Sequence, residues 1–162
     1  VPKEMRFADL TLRLNEQARR EIQLDVVTPS GVVFSEPVEY LSVVGPEGSI
    51  GILPNHVPVF MLVDIGVLEY QKNGVRDFIT TMGGVLEFHN NHASVVTEAS
   101  ERSSDIDELR VKESMKKAQA KLSEKAGVAA SEKADSLAAL QRASVRLRTL
   151  ELLKNRHNRR KL

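Results

Sequence analysis

The residues of this chain best suited to chemistry are three arginines in its C-terminal part. Arg142 and Arg146 are four residues apart, so they share one face of a helix and can converge on an anion. Together with Arg110 they can hold phosphate groups through charge-assisted hydrogen bonds. The competing interpretation is that the three guanidinium groups are solvated or paired with Asp and Glu side chains. Glu113 lies one turn from Arg110 and is placed to neutralise it.

The sequence contains no recognisable catalytic constellation. It lacks the phosphate-loop pattern GxxxxGK[ST], the dinucleotide pattern GxGxxG, the zinc pattern HExxH and the nucleophile pattern GxSxG. His89 and His92 flank a turn, but no third ligand follows at a matching spacing, so we expect no metal site. His56 has no partner nucleophile, and we expect it to bond to loop backbone. We therefore expect no catalytic residue.

Composition bounds the class of protein. The chain has 162 residues and a formal net charge of +1, which fits one domain with an appendage and gives no global polyelectrolyte character. No run of about 18 apolar residues occurs, so the sequence predicts no membrane span. The absence of cysteine removes disulfides and thiolate metal sites. Aromatic residues make up 4%, which argues against stacking platforms for single-stranded nucleic acid.

The first two thirds of the chain have the pattern of a β protein. Apolar residues alternate with a period of two from residue 22 to about residue 97. Asn73-Gly74 is a strong hairpin signal, and Asn90-Asn91 marks another turn. The predicted strands include residues 57–63, 67–71, 75–80 and 85–89. Their number, spacing and Val and Ile content predict an antiparallel β-sandwich or flattened barrel.

The last third of the chain has the pattern of two helices. After Glu98 the composition shifts to Ala, Lys, Glu, Arg and Leu. Ser103 or Ser104 can cap the first helix, and Gly127 is its predicted stop. The second helix carries apolar residues at 3–4 spacing, namely Leu137, Leu140, Ala143, Leu147 and Leu150. Two helices joined by a short link predict an αα-hairpin.

The predicted fold class is therefore α+β, with an N-terminal antiparallel β-sandwich followed by a C-terminal αα-hairpin. Residues 1–21 form an N-terminal extension, either a flexible or docked tail or a lineage-specific contact. Residues 22–102 form the sandwich, and residues 103–162 form the hairpin with a basic tail. The hairpin buries few large apolar side chains, so a small bias from a partner or ligand can dock or release it. A hairpin held permanently by neighbouring subunits fits the same pattern.

Residues 45–58, GPEGSIGILPNHVP, combine turn formers with apolar residues. The segment holds three glycines and three prolines. We expect a rigid, packed turn system between two strands, in which Gly45 and Gly48 take positive φ and prolines fix φ. Rigid irregular backbone at a sheet rim often presents a surface to a partner. The predicted partner contacts in this segment are Gly45, Gly48, Pro54, His56 and Pro58.

The same segment carries a family resemblance. GPEGSIGILPNHVP resembles the signature of the small rotor subunit of rotary ATP synthases, called epsilon in bacteria and chloroplasts and delta in mitochondria. Residues 28–34 (TPSGVVF), 65–68 (IGVL) and 83–87 (GGVLE) resemble further landmarks of that family, in the right order and at about the right spacing. A helical C-terminal third follows, also as in the family. The resemblance covers residues 22–153.

The resemblance extends to an ATP-binding motif known in some bacterial members. Residues 106–110 (IDELR) resemble its start, with Glu101 five residues earlier and Arg142 and Arg146 matching the family's pair of arginines. It implies phosphate contacts from the arginines, and an adenine edge read by Asp107 and the Ile106 backbone. The implied set is Glu101, Ile106, Asp107, Arg110, Arg142 and Arg146. The chain departs from the motif where the family prefers alanines and arginines, at Val111, Glu113, Ser114 and Lys117.

The resemblance also implies a function and partners. The subunit would catalyse nothing itself and would couple the gamma subunit to the membrane rotor ring, with residues 45–58 and the strand 57–63 as contacts. Its C-terminal helix would reach the catalytic beta subunits and slow ATP hydrolysis, with regulatory ATP as the one implied ligand and no cofactor. It would lie peripherally on the membrane, on the matrix side in mitochondria or the cytoplasmic side in bacteria. In mitochondria a very small extra stalk subunit would join it.

Two other hypotheses remain open. The arginines fit a stand-alone ATP-sensing module. The basic run at the C-terminus fits a nucleic-acid adaptor, although the rest of the chain supplies no aromatic or groove-reading element, so we expect no nucleic-acid partner. That run comprises Arg142, Arg146, Arg148, Lys154, Arg156, Arg159, Arg160 and Lys161.

Overall fold

The computed structural model describes residues 16, 20–123 and 130–159, without the side chains of residues 130 and 157–159. The predicted N-terminal extension lies outside the described residues apart from 16, 20 and 21. The predicted helix stop at Gly127 and the last residues of the basic run lie outside them as well.

Seven strands form one continuous sheet in the order β2-β1-β7-β6-β5-β3-β4. Neighbouring strands pair antiparallel except β1 and β7, which run parallel. The predicted antiparallel sandwich followed by two helices is confirmed. The strands are β1 (Ile22–Thr28), β2 (Gly31–Val38), β3 (Tyr40–Gly45), β4 (Gly48–Ile52), β5 (Val59–Lys72), β6 (Val75–His89) and β7 (His92–Thr97).

The sheet folds into two layers because β5 and β6 are long and pass through both. Residues 84–89 of β6 pair with β7, whereas residues 69–71 of β5 pair with β3. Their mutual pairing skips Asp64 and Gly83, and Gly84 has a φ of 144°. The prediction of four separate strands here was wrong, since they merge in pairs into β5 and β6, the latter bent at Gly83 and Gly84.

The core lies between the two layers. Phe34 of β2 and Tyr70 of β5 meet across it with ring centroids 4.6 Å apart. Burial of Tyr70 raises the pKa of its hydroxyl to about 12. Alternate residues of every strand contribute, as in Ile22, Leu24 and Val26, each 0% exposed. The period-two pattern therefore places one face of each strand in a shared apolar interior.

A 3-10 turn (Ser103–Asp105) leads from the sandwich to helices α1 (Glu108–Ser123) and α2 (Ala130–Arg159). The first helix is capped by Asp107, whose Oδ1 accepts hydrogen bonds from the N–H groups of Leu109 at 3.0 Å and Arg110 at 3.2 Å. The prediction of a cap at Ser103 or Ser104 was wrong. Ser103 is buried and donates instead to Asp77 Oδ1 on β6, at 2.7 Å.

The two helices pack along a small apolar seam, and α2 also packs against β5 and β6. The seam consists of Ile106, Val111, Ala143 and Leu150, with Met115 and Leu147 partly buried beside it. Leu137 is 56% exposed, so its predicted place in the seam was wrong, and its neighbour Ser136 is buried instead. Because this seam is small, polar contacts contribute a large part of the stability of the hairpin.

Candidate functional site

A cleft of about 390 Å³ lies where the two helices meet the segment that follows the sandwich. This volume falls within the range of about 300–1,000 Å³ found for small-molecule sites. Five of the six residues implied in nucleotide binding line the cleft. The full lining is Glu101, Asp105, Asp107, Arg110, Val111, Ser114, Ala139, Arg142, Ala143 and Arg146.

Arg146 does not present a free guanidinium to this cleft. Its Nε donates to Glu101 Oε2 at 2.9 Å, and its Nη2 donates to Oε1 of the same carboxylate. Such a bidentate ion pair is the geometry that an arginine adopts with a phosphate or a carboxylate ligand. An anion that used Arg146 would have to displace Glu101 or bind beside it.

Arg142 and Arg110 are placed differently. Both side chains are exposed, and neither takes part in an ion pair with any residue that the structure describes. The pairing of Arg110 with Glu113 that the sequence allowed is not formed. Because Arg142 and Arg110 come from α2 and α1 and line one cleft, they are the cations available to an anionic ligand.

The two residues implied in reading an adenine edge have structural roles. Asp107 lines the cleft, but one of its carboxylate oxygens caps α1. Ile106 is 8% exposed and belongs to the hairpin core, so its side chain lies outside the cleft lining. An edge contact would therefore use the second oxygen of Asp107 or the Ile106 backbone.

Five cleft residues were not assigned to a site from the sequence, namely Asp105, Val111, Ser114, Ala139 and Ala143. In the sequence, Asp105 is recognisable only as an acidic residue near the start of a helix. Ser114 is recognisable only as a position where the chain departs from the ATP-binding motif. Ala139 lies one turn before Ala143 on α2, and two small residues one turn apart leave the space that the cleft occupies. The lining holds three carboxylates and three guanidinium groups, so its formal charges balance.

The predicted contacts in residues 45–58 do not form one turn system. The middle of this segment is the strand β4, so the prediction of continuous turns was wrong. Gly48 has a φ of 115° as expected, but Gly45 is not among the residues with positive φ. Gly45 and Gly48 lie at one end of β4, and Pro54, His56 and Pro58 follow its other end.

Two histidines, His56 and His92, have partners of ordinary kinds. His56 Nδ1 lies 2.9 Å from the Val57 carbonyl oxygen, as expected for a histidine that bonds to loop backbone. His92 Nε2 lies 2.6 Å from Asp25 Oδ2, across the pair of strands β1 and β7. A hydrogen bond from Ser35, followed by those from Gln23 and His92, lowers the pKa of Asp25. Among the described residues no group of three or more His, Asp and Glu side chains could hold a metal ion.

Two further ion pairs hold α2 in place. Arg156 donates to the Arg76 carbonyl oxygen at 2.7 Å and lies 3.1 Å from Asp77 Oδ2 on β6. Lys154 lies 2.7 Å from Glu108 Oε2 at the start of α1. Lys112, together with Lys154, lowers the pKa of Glu108 to about 2. The C-terminal half of α2 is thus joined both to the sandwich and to its partner helix.

Comparison with known proteins assigns the chain to a family. Residues 21–103, half of the chain, match the family described as "ATP synthase, Delta/Epsilon chain, beta-sandwich domain". The chain belongs to the ATP synthase delta/epsilon family. This delta/epsilon chain is 36% identical over 132 residues to the ATP synthase epsilon chain of Nitratidesulfovibrio vulgaris (strain DP4), covering 80% of this chain and 95% of that one. It is also 36% identical over 135 residues to that of Herpetosiphon aurantiacus, covering 83% and 98%.

A solved structure shares the fold of the delta/epsilon chain. It is a chain in the mitochondrial ATP synthase of Euglena gracilis (OSCP/F1/c-ring, rotational state 1), with a TM-score of 0.68 and 20% identity over 83% of this chain and 81% of that one. The delta/epsilon chain is an accessory subunit of the ATP synthase central stalk and part of a membrane-associated complex. No helix among its described residues is long and apolar enough to cross a membrane.

Proposed function

We propose that this chain catalyses nothing itself and couples the gamma subunit to the membrane rotor ring of a proton-translocating rotary ATP synthase. The observation that carries the proposal is an outer apolar patch on the sandwich. It consists of four large apolar side chains on paired strands that are at least 49% exposed, namely Val32, Phe60, Leu62 and Val96. Exposed apolar surface of this extent is typical of a protein–protein contact.

Strand register makes part of the patch continuous. Leu62 of β5 lies opposite Val85, which lies opposite Val96 of β7. Val96 pairs with Val27 of β1, which pairs with Val32 of β2. Directly opposed residues point to the same face of a sheet, so this apolar row crosses five strands.

The patch has a polar border. The neighbouring row runs from Phe60 through Glu87 and Ser94 to Asp25 and Ser35. An apolar row beside two carboxylates fits a partner element with an apolar stripe and a basic flank. We assign this face to the gamma subunit, since the strand 57–63 that sequence analysis singled out supplies its most exposed residue, Phe60 at 73%.

Residues 45–58, at the rim of the sandwich, are the proposed contact with the rotor ring. Its candidates remain Gly45, Gly48, Pro54, His56 and Pro58. The Asn91 side chain on the β6–β7 turn supports this segment, because its Nδ2 donates to Asn55 Oδ1 at 3.1 Å. A close-packed sandwich with a braced rim transmits torque without deforming, which coupling requires.

The hairpin is the proposed regulatory element. In the docked arrangement its cations Arg146, Lys154 and Arg156 are paired with carboxylates of this chain. Released from the sandwich, the basic helix would reach the catalytic beta subunits and slow ATP hydrolysis. Regulatory ATP in the cleft, held by Arg142 and Arg110, would favour the docked arrangement. No other cofactor belongs to the proposal.

The subunit would lie peripherally at the membrane, on the cytoplasmic side in bacteria or the matrix side of the mitochondrial inner membrane. A mitochondrial complex would add a very small stalk subunit.

Nucleic acid is not a proposed partner, because the adaptor hypothesis needs a free basic helix and three of its cations are paired. A stand-alone ATP sensor is the second candidate, favoured by the cleft alone.

ATP hydrolysis by a catalytic head that carries its gamma subunit tests the proposal. Full-length chain is added, and its binding is measured in each sample. We expect the chain to bind, and the variant Glu101→Gln/Asp77→Asn to slow hydrolysis more than the unmodified chain, because its hairpin is released while the cations of α2 are kept. Glu98→Gln/Glu113→Gln replaces two exposed carboxylates that form no ion pair with a described residue and is the matched control. If both chains bind and hydrolysis proceeds at the same rate with either, the coupling role stands and the regulatory role is excluded. If the unmodified chain does not bind, the proposal is contradicted.

A further inference from the structure

The turn between β5 and β6 contains a chemically labile pair. Asn73-Gly74 is the one Asn-Gly step in the sequence. The two residues have φ of 52° and 70°, the left-handed pair that a tight two-residue hairpin turn requires. Both are exposed, and nothing lies within 4 Å of the position that a Cβ on Gly74 would take. Water therefore has access to the Asn73 side chain, and residue 74 places no Cβ beside its own backbone nitrogen.

A carboxylate from the link between β2 and β3, that of Glu39, caps this turn. The Gly74 N–H donates to both oxygens of Glu39, each at 3.2 Å. Gln71 holds that carboxylate in place, with Nε2 donating to Oε2 at 2.8 Å while its carbonyl accepts from the Glu39 N–H at 2.8 Å. Hydrogen bonds from Gln71 and then from Gly74 lower the pKa of Glu39, so the cap is charged at neutral pH.

We propose that Asn73 is a deamidation site and that Glu39 is the positioning residue that slows its modification in the folded chain. In the reaction the Gly74 nitrogen attacks Cγ of Asn73. An N–Cγ bond forms, the Cγ–Nδ2 bond breaks, and Nδ2 leaves as ammonia with the proton from Gly74. Water then opens the cyclic imide at either carbonyl and leaves an aspartyl or isoaspartyl residue.

Glu39 opposes the first step in two ways. The nucleophile is the deprotonated Gly74 amide, and a carboxylate at hydrogen-bond distance disfavours a second negative charge on that nitrogen. The Gly74 N–H is also engaged by Glu39, so its hydrogen bonds must break before the nitrogen attacks Cγ of Asn73. After modification, position 73 carries a carboxylate beside that of Glu39, and the two repel each other.

Modification of Asn73 matters to the helical hairpin of α1 and α2. The β5–β6 turn lines another cleft, of about 370 Å³, against the end of α2. Its lining includes Gly74, Arg76, Leu152, Asn155 and Arg156. Arg156 is the residue that anchors α2 to Asp77. A new charge or an isoaspartyl backbone at the turn therefore falls beside that anchor.

The test is the rate of deamidation at position 73 in the full chain, followed by peptide mass spectrometry that separates the aspartyl and isoaspartyl products. The variants are Glu39→Gln, which keeps an oxygen acceptor without the charge, and Glu39→Ala, which removes both. Glu47→Gln, an exposed acid at the far end of β3, is the charge-matched control. Each rate is measured in native buffer and in urea.

We expect the unmodified chain and Glu47→Gln to react slowly when folded, Glu39→Gln to react several-fold faster, and Glu39→Ala faster still. In urea the four chains should react at one rate, since the cap exists only in the fold. Four equal rates in native buffer, however slow, would overturn the role of Glu39. A difference that persists in urea would show that the effect does not depend on the folded contact between Glu39 and Gly74, and would overturn it too.

Discussion

Arg146 on α2 binds the carboxylate of Glu101, which lies 45 residues earlier on the segment that leaves β7. Glu101 is in turn tied to β6, because its N–H donates to Thr80 Oγ1 and its carbonyl accepts from the Thr80 N–H, both at 2.9 Å. The ion pair therefore joins the second helix to the sandwich. The sequence suggested Arg146 as a ligand for an external anion, but in the structure the carboxylate of Glu101 in the same chain binds it.

The Arg146–Glu101 pair should contribute measurably to docking of the hairpin. We expect a double-mutant cycle of Arg146→Ala and Glu101→Ala to give a coupling of about 1 kcal/mol, the upper part of the range for partly exposed pairs. Amide exchange along α2 measures it, because loss of the pair raises the population of the released helix. Strictly additive effects of the two substitutions would contradict this account.

Glu108 should make hairpin stability depend on acid pH. Its pKa in the folded chain is about 2, below the usual 4.5, because Lys112 and then Lys154 favour its charged form. A lowered pKa gives a contribution that is complete above about 4.5 and is lost as pH falls toward 2. The amide-exchange protection factors of α1 and α2 should therefore fall more steeply over this window in the unmodified chain than in Glu108→Gln.

Gly84 should tolerate no side chain. A Cβ at this position would lie 1.9 Å from the Val96 carbonyl oxygen, which belongs to rigid strand backbone. We expect Gly84→Ala to cost more than about 4 kcal/mol of unfolding free energy in urea denaturation. Gly31→Ala is the control, with a φ of 129° but nothing within 4 Å, and should cost only about 1–3 kcal/mol for backbone strain. Similar costs for both would show that the close contact relaxes.

Nucleotide binding should depend on Arg142 and not on its neighbour outside the cleft. If ATP binds the full chain, Arg142→Ala should weaken it by about 1.5–3 kcal/mol, as expected for a charge-assisted phosphate contact. Arg148→Ala should leave it unchanged, since that exposed arginine does not line the cleft. Calorimetric titration of both variants decides this, and equal losses would indicate non-specific attraction to the basic helix.

The strand pattern could be read from the sequence because alternation is local. The merging of four predicted strands into β5 and β6 could not, because Gly83-Gly84 looks like a break when only its neighbours in sequence are considered. The need for glycine at 84 arises from the Val96 carbonyl on β7. The β4 strand was likewise missed because its flanking prolines suggest a turn, although they all lie outside the strand.

The cleft residues, too, could be predicted only in part from the sequence. Helical spacing placed Arg142 and Arg146 on one face, and the motif resemblance supplied Glu101, Asp107 and Arg110. The engagement of Arg146 by Glu101 depends on docking of α2 against the sandwich. Local spacing carries no signal of such a contact, and neither does it reveal that Asp107 caps α1.

Binding of the gamma subunit by the outer apolar patch can be measured directly. The most direct measurement is the Kd of the full chain for a gamma-containing catalytic head, compared between the unmodified chain, Phe60→Ser/Leu62→Ser and the control Leu137→Ser. All three replaced side chains are at least 56% exposed, so thermal stability should be retained. We predict that the double variant binds at least about tenfold more weakly, a loss of 1.4 kcal/mol or more, and that Leu137→Ser binds normally. Equal affinity of the double variant and the unmodified chain would contradict the account.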